Sequence, residues 1–251
     1  MDEQELAGGN AGGQVVRVGQ TVRKAWTAST ASVLAFMKHV RDAGVDVPEA
    51  LGQDEQGRQI TEFIPGRLAM DSDPLTTDEL CRVGRLIRDI HDASASFVPS
   101  RHAIWETAIP APSDELVCHN DLAPWNLMVG ERWVFIDWDA AAPSTRLWDL
   151  AYAAQAFTLH DVQQPPAAAA QNLAAFVDGY DADPSLRAEL PLTMHRRASA
   201  MLYLLRSSHE VGHEPWASMY ETFHRPHWEG VVRYVGAHQL VWAEALADRH
   251  A

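Results

Sequence analysis

The residues whose types and spacing could do chemistry lie within the central stretch Val117–Asp139. It contains His119-x-Asp121-x-x-x-x-Asn126, and Asp137 follows after an apolar run. Phosphoryl transfer needs a carboxylate that orients the acceptor hydroxyl, and oxygen ligands that hold a metal against the phosphates. The spacing therefore predicts Asp121 as the base, with Asn126 and Asp137 as ligands of a hard cation such as Mg²⁺.

Two other interpretations of this stretch stay open. In the first, the residues form an ordinary surface loop, because Asn and Asp near Pro are common turn formers. In the second, His119, Asp121, Asp137 and Asp139 form the metal site of a hydrolase. The order of the motif, downstream of a strand that carries a lysine, favours phosphoryl transfer over both.

The segment between Asn126 and Asp137 predicts a short β-hairpin. Leu127–Val129 and Trp133–Ile136 are apolar runs of strand-forming residues, and residues 130–131 supply a turn between them. A hairpin at this point folds Asp137 back beside Asn126, where both can reach the same ion.

The amino-terminal part of the chain predicts a strand-rich lobe. Val15–Val18 and Thr21–Trp26 are joined by Gly19-Gln20, which indicates a hairpin with a type II′ turn. Lys24 on the second strand is placed to contact nucleotide phosphates, although a solvent-facing lysine would give the same pattern. The glycine-dense segment 8–13 would let backbone N–H groups approach a phosphate closely.

A hinge and then mostly helices follow. An apolar stripe predicts a helix over Ser29–Ala43, and the strand Gln59–Ile64 ends at Pro65-Gly66, a plausible hinge. Thr76-x-x-Glu79 is a capping box that opens the next helix. Further helices are predicted within Leu147–Phe157, Ala167–Tyr180, Ser185–His213 and His227–Asp248, with Pro165, Pro166 and Pro191 at breaks or starts.

This order of elements predicts an α+β, bilobal architecture. A small antiparallel-sheet N-lobe would occupy residues 1–64, and a mostly helical C-lobe with the catalytic loop and acceptor site would occupy residues 65–251. A cleft between the two lobes is the natural place for a ligand.

Composition restricts the classes of partner that this protein is expected to bind. With 47% hydrophobic residues the chain can bury a sizeable core, and its net charge of -14 argues against nucleic acid. The acidity suits a cationic small molecule, although it also serves solubility. Two cysteines are too few for a disulfide framework. No apolar run approaches the roughly 20 residues of a membrane span, and the acidic start is no signal peptide, so we expect a cytoplasmic protein without a membrane partner.

A resemblance to a known family rests on four segments: Cys118–Asn126, Phe135–Asp139, Arg146–Ala151 and, at the hinge, Glu62–Gly66. Together they resemble the aminoglycoside phosphotransferase family, which is related in fold to protein kinases and choline kinases. The resemblance implies a protein-kinase-like fold. It also implies transfer of a phosphoryl group from ATP, or another nucleoside triphosphate, to a small-molecule hydroxyl with the help of Mg²⁺.

The same resemblance implies residue roles, which agree with those predicted from spacing for Asp121, Asn126 and Asp137. It adds Lys24 on the nucleotide phosphates, the backbone of Glu62, Phe63 and Ile64 around the adenine, His119 as a brace of the loop, and Asp149 as a structural residue.

The chain departs from the family at one place. Family members pair the strand lysine with a glutamate from the small-lobe helix, but no Glu occurs between Lys24 and Pro48. The corresponding helix position is near Val33, on the apolar stripe. The carboxylate that orients Lys24 is therefore missing or supplied from elsewhere in the chain.

The acceptor is narrowed only by resemblance and charge. An aminoglycoside or related amino-sugar is the leading prediction, because it is cationic and rich in hydroxyl groups. A macrolide, a sugar, choline or homoserine are alternative acceptors for the same chemistry. A nucleotide-binding pseudoenzyme is a further alternative, which only the missing partner of Lys24 favours.

Overall fold

An antiparallel sheet with strand order β1-β2-β3-β5-β4 forms the amino-terminal part of the molecule. Its strands are β1 Glu3–Leu6, β2 Val15–Val18, β3 Thr21–Lys24, β4 Ala50–Gln53 and β5 Gln59–Glu62. The computed structural model describes residues 3–6 and 13–247. The glycine-dense segment 8–13 therefore lies, apart from Gly13, outside the described residues.

The predicted hairpin between β2 and β3 is confirmed, with two strand ends corrected. Gly19 has a φ of 62°, as the first central position of a type II′ turn requires. β3 stops at Lys24 rather than Trp26, because its last partner is Gln59, where β5 begins. β5 likewise stops at Glu62 rather than Ile64, because Glu62 pairs with Thr21, the first residue of β3.

Between β3 and β4 the chain forms α1, Thr30–Asp42. The predicted apolar stripe is buried, and the helix ends before Gly44, whose φ of 95° only glycine adopts without strain. α2, Thr77–Ser94, begins at Thr76 with the predicted capping box: Glu79 N–H donates to the Thr76 hydroxyl, and Thr76 N–H donates to the Glu79 carboxylate. Both helices therefore form where local sequence indicates them.

Short strands on either side of α2 build the loops of the larger lobe. β6 Arg67–Leu68, β8 Leu127–Val129 and β9 Trp133–Phe135 form one small sheet, and β7 Leu116–Cys118 pairs with β10 Ala142–Ser144. Helices then follow: α3 Arg146–Thr158, α4 Pro166–Tyr180, α5 Pro184–Val211, α6 Trp216–Tyr220, α7 His224–Ala237 and α8 Gln239–Leu246.

The helices depart from expectation at two points. Pro191 lies inside α5 and does not break or start a helix. Its ring is buried among the helices, so packing outweighs the backbone hydrogen bond that proline cannot make. The predicted carboxy-terminal helix is two helices, because His238, with a φ of -115°, separates α7 from α8. Asp248, the predicted end of this helix, lies outside the described residues.

One hydrophobic cluster runs through both parts of the molecule. It joins Phe36 and Val40 of α1 to Leu80 and Ile87 of α2 and to the buried faces of α3–α5. α2 and α4 cross in close backbone contact, where Gly84 faces the Phe176 carbonyl. The predicted α+β fold, with a small antiparallel sheet and a mostly helical remainder, is confirmed. The boundary between residues 64 and 65 stays a prediction.

Within residues 3–6 and 13–247, every helix is too short or too polar to span a bilayer.

Candidate active site

The catalytic loop leaves β7 through Asn120, which holds a left-handed φ of 64°. Asn tolerates this conformation because its short side chain can bond locally. Here the Asn120 N–H donates to Asp149 Oδ1 at 3.0 Å, and its Nδ2 donates to the carbonyls of Ala140 and Ala142, each at 3.2 Å. These bonds fix the backbone at Asn120 and therefore the direction in which the chain continues into Asp121.

His119 lies inside the loop and bonds its backbone at two points. Its ring is fully buried, Nδ1 accepts the N–H of Asp121 at 3.2 Å, and Nε2 lies 3.1 Å from the Ile136 carbonyl. Since a carbonyl only accepts, Nε2 carries the proton and the imidazole is neutral. Both ring nitrogens are thus engaged with backbone, which argues against His119 as a ligand in a hydrolytic metal site.

The carboxylate of Asp121 is held by a donor on each oxygen. Asn126 Nδ2 donates to Oδ2 at 2.7 Å, and the Tyr152 hydroxyl donates to Oδ1 at 2.9 Å. Burial raises the pKa of Asp121, and the nearby Asp137 carboxylate acts in the same direction. The two hydrogen bonds oppose that rise, because they stabilise the charged form.

Asn126 ends a 3₁₀ turn that begins at Pro124. Its Nδ2 donates to both the carbonyl and the carboxylate of Asp121, so Oδ1 is the atom that could reach a metal. The predicted hairpin is confirmed: Leu127 pairs with Phe135, and the Ile136 N–H donates to the Asn126 carbonyl at 2.8 Å. That bond brings Asp137 next to Asn126 along the loop.

Lys24 reaches across from β3 to this loop. Its ammonium contacts the Asp137 carboxylate and lies 3.1 Å from Asp139 Oδ2. Burial alone would lower the pKa of Lys24, but the two carboxylates outweigh it and raise the pKa. Gln59 Nε2 holds the other Asp139 oxygen at 3.3 Å. The partner that the sequence left open for Lys24 is therefore supplied by the loop after β9.

The oxygen atoms of Asn126 and Asp137 fit a hard divalent cation. An amide oxygen and a carboxylate are few in number and leave places for water and phosphate oxygens, as Mg²⁺ prefers. Asp137 has a φ of 61° and a ψ of 64°, a left-handed conformation that directs the chain out of the hairpin. The donor set supports a metal at the predicted position.

Asp149, for which the resemblance implied a structural role, is buried and hydrogen-bonded on both carboxylate oxygens. It is 1% exposed on α3, where Oδ1 accepts the Asn120 N–H and Oδ2 lies 3.1 Å from His91 Nε2. The second nitrogen of His91 contacts the Tyr180 hydroxyl at 2.8 Å. Cys118 is nearby, but burial raises the pKa of its thiol well above the ordinary value. Hydrogen bonds therefore explain why His91 and Asp149 are buried together, and no metal is needed to explain this cluster.

The hinge residues lie between the two lobes with most of their donors engaged. The N–H groups of Glu62 and Phe63 donate to the carbonyls of Glu49 and Gln20, at 2.9 and 3.0 Å. Ile64 is 4% exposed, and its N–H has no hydrogen-bond partner within residues 3–6 and 13–247. Of the predicted adenine-binding backbone, Ile64 thus offers the available donor.

Two residues of the site were missed by sequence reasoning. Tyr152 follows Asp149 by three positions and so lies on the same face of α3, a helical spacing that could have indicated it. Arg197 lies 76 residues beyond Asp121 on α5 and carries no such signal. Its guanidinium lies 4.3 Å from the centre of the Tyr152 ring.

In this α+β fold, Lys24 of the small sheet contacts the carboxylates of the loop after β9. This arrangement defines a phosphotransferase architecture. The chain belongs to the phosphotransferase enzyme family, whose profile matches residues 6–108 and 101–188. Membership of this family agrees with the resemblance seen in the sequence.

Solved structures of kinases share the fold over almost the whole chain. A choline/ethanolamine kinase family protein of Mesorhizobium loti has a TM-score of 0.64 at 16% identity, over 98% of this chain and 92% of its own. An amicoumacin kinase in complex with AMP-PNP, Ca²⁺ and Ami has a TM-score of 0.70 at 13% identity, over 94% and 87%. A microcompartment-associated aminopropanol kinase reaches 0.62 at 17% identity, over 95% and 90%.

A relative with a described biological role is more similar in sequence. The trifolitoxin immunity protein of Rhizobium leguminosarum bv. trifolii is 29% identical over 150 residues, which are 57% of this chain and 57% of that protein. The chain therefore spans little more than half the length of this relative.

Proposed function

We propose that the protein is an ATP- and Mg²⁺-dependent kinase that transfers the γ-phosphoryl group to a hydroxyl of a small molecule. The observation that carries the proposal is the meeting of Lys24 from β3 with Asp137, beside a loop in which Asp121 and Asn126 bond each other. This is the set of groups that phosphoryl transfer requires: a cation for the phosphates, oxygen ligands for a metal, and a base.

Each residue has a definite task in this proposal. Asp121 accepts the hydrogen bond, and then the proton, of the acceptor hydroxyl. Asn126 and Asp137 hold the metal, which when bound neutralises charge on the phosphates. Lys24 contacts the phosphates, and Ile64 N–H meets the adenine at the hinge. His119 and Asp149 keep the loop in shape.

Two alternatives fit this geometry less well. A pseudoenzyme has no need of a base, yet Asp121 is held by two donors in a defined orientation. A hydrolase built on His119 would have to break both of its backbone hydrogen bonds. The intact base and the engaged imidazole therefore favour a kinase.

For the acceptor we propose an aminoglycoside or related amino-sugar. The net charge of -14 supports a cationic ligand, because acidic groups around a cleft raise the local concentration of cations. Family membership supports a small-molecule hydroxyl. We place the protein in the cytoplasm, where ATP is available.

A second candidate is an immunity function towards a toxin. It is favoured by the similarity to the trifolitoxin immunity protein. The chemistry would be the same, with a hydroxyl of the toxin as acceptor, so both candidates share one catalytic site and differ only in what enters the cleft.

The test is turnover of Mg·ATP over a panel of hydroxyl compounds: aminoglycosides, macrolides, sugars, choline and homoserine. We expect phosphorylation of at least one compound, lost with Asp121→Asn. Binding of Mg·ATP without turnover on any acceptor would favour the pseudoenzyme instead. In parallel, cells expressing the protein are grown with antibiotics and with trifolitoxin. Protection that disappears with Asp121→Asn would identify the acceptor class.

A further inference from the structure

Tyr152 is a buried residue of α3 whose hydroxyl contacts the proposed base. Its side chain lies on α3 with the residue 5% exposed, and its hydroxyl donates to Asp121 Oδ1 at 2.9 Å. The other oxygen, Oδ2, accepts from Asn126. With one donor on each oxygen, the plane of the carboxylate is fixed, and an acceptor hydroxyl can approach only along the remaining lone pairs.

The phenol is built to donate. Burial, together with the nearby Asp121 carboxylate, raises the pKa of Tyr152 well above its ordinary value, so the hydroxyl keeps its proton. An ionised Asp121 can only accept. The direction of the bond, from Tyr152 to Asp121, is therefore settled by chemistry.

Arg197 packs its guanidinium over the tyrosine ring. The guanidinium of this buried residue lies 4.3 Å from the centre of the Tyr152 ring and 5.7 Å from that of Trp148. Its Nη2 also lies 3.5 Å from the carbonyl of Asn120, directly before the base. Its Nη1 is buried without a hydrogen-bond partner within residues 3–6 and 13–247. A buried charge of this kind needs compensation, which the aromatic faces and the nearby carboxylates give.

We propose that Tyr152 is a positioning residue of the phosphoryl-transfer site, aligning the Asp121 carboxylate for the acceptor hydroxyl, with Arg197 as the platform that holds its ring. The inference rests on the proposed role of Asp121 as the base. It concerns orientation, since the loop already has its shape from His119 and Asp149.

The closing experiment is a double-mutant cycle on turnover. Tyr152→Phe keeps the ring and removes only the donor, and we expect kcat to fall about 10- to 100-fold while KM for ATP stays within about twofold. In an Asp121→Asn background, the same change should have no further effect, because the base through which Tyr152 acts is already absent. A loss of stability alone would lower activity in both backgrounds.

The matched control is Tyr234→Phe, which removes the hydroxyl of another buried tyrosine. Tyr234 lies on α7 and donates to the Gln164 carbonyl in the loop before α4. It should leave kcat unchanged. Arg197→Met should reproduce the Tyr152→Phe loss and likewise add nothing to Asp121→Asn. If Arg197→Met does not fold, Tyr152→Phe still decides the question.

The outcomes separate the two proposals. Turnover that Asp121→Asn leaves undiminished, or no turnover on any acceptor by the unaltered protein, overturns the proposed function itself. Turnover that needs Asp121 but is unchanged in Tyr152→Phe overturns only the positioning role. An equal loss from Tyr152→Phe in both backgrounds would also overturn it, because the effect would not pass through Asp121.

Discussion

At the scale of the single residue, Asp121 combines two opposing conditions. Burial makes its charged form costly, while two hydrogen bonds stabilise that form. Because these two effects oppose each other, the charged form is not stabilised so strongly that protonation becomes unfavourable. The carboxylate can therefore still accept a proton.

Replacing the base tests this directly. We expect Asp121→Asn to lower kcat by about 10²–10⁴-fold with ATP binding retained, because the amide fills the same space but accepts no proton. The measurement is ADP release under saturating substrates, with ATP affinity followed separately. Asp178→Asn is the matched control, since Asp178 is exposed and pairs with Arg187 on the surface. Full activity of Asp121→Asn would contradict the role.

Asp139 pairs with Lys24, where family members use a glutamate of the small-lobe helix. Because it lies two positions after Asp137, one short segment both faces the predicted metal and orients the lysine. Lys24 therefore depends on a carboxylate of the larger lobe, and not on α1.

We expect Asp139→Asn to raise KM for ATP roughly 3- to 10-fold, because Lys24 loses a charged partner and is held less well for the phosphates. Initial rates over a range of ATP concentrations give the value. Asp42→Asn provides the comparison, since it removes a carboxylate from a surface pair with Lys38. An unchanged KM would show that Asp137 alone orients Lys24.

How far the site could be foreseen depended on distance along the chain. Asp121, Asn126 and Asp137 share one loop and one hairpin, so their spacing in the sequence is enough to place them near one another. The contact of Lys24 with Asp139 joins residues 115 positions apart, and that of Tyr152 with Asp121 needs the docking of α3. Neither long-range contact leaves a local pattern in the sequence.

At the scale of the elements, the crossing of α2 and α4 sets the frame behind the loop. A Cβ on Gly179 would overlap the Cys81 backbone, and one on Gly84 would overlap the Phe176 carbonyl. Backbone cannot move aside as a flexible side chain can. The same two helices carry His91 and Tyr180, so their close approach also brings the support of Asp149 together.

Gly179→Ala should therefore destabilise the protein by about 3 kcal/mol, because overpacking against backbone outweighs the gain in helix propensity. Denaturant unfolding measures the change. Gly230→Ala is the matched control on α7, where a Cβ would meet Val162 at 3.6 Å, an ordinary contact. It should be neutral or gain up to about 1 kcal/mol. Equal stability of both variants would contradict the close crossing.

The elements were easier to foresee where local signals act alone. The capping box at Thr76 and the stop at Gly44 are local, and both were confirmed. The ends of β3 and β5 depend on their partner strands, and Pro191 is tolerated only because packing surrounds it. These features are decided by tertiary contacts, which a single segment does not contain.

At the scale of the whole molecule, the net charge of -14 should influence how an acceptor arrives. We expect KM for a cationic acceptor to rise several-fold between about 0.05 and 0.5 M salt, because screening weakens long-range attraction. kcat should change little, and a neutral acceptor serves as the comparison. A KM that does not depend on salt would remove the charge argument for an aminoglycoside.

Nucleotide binding should also stabilise the fold as a whole. Mg·ATP at about 100 times its Kd should add about 2.7 kcal/mol, seen as a higher Tm. Lys24→Met should lose most of this gain, whereas Lys38→Met, which changes an exposed lysine of α1, should keep it. A full shift in Lys24→Met would mean that the phosphates are held by other groups.

The contact between Lys24 and Asp137 has a consequence for the order of events. The ammonium already serves as counter-ion to a carboxylate of the proposed metal site, so a divalent ion enters by cation exchange and not by simple addition. Exchange is favourable once the phosphates offer the ammonium a new anionic partner. Free metal should therefore bind weakly and nucleotide should recruit it, so that the site assembles only when the phosphoryl donor is present.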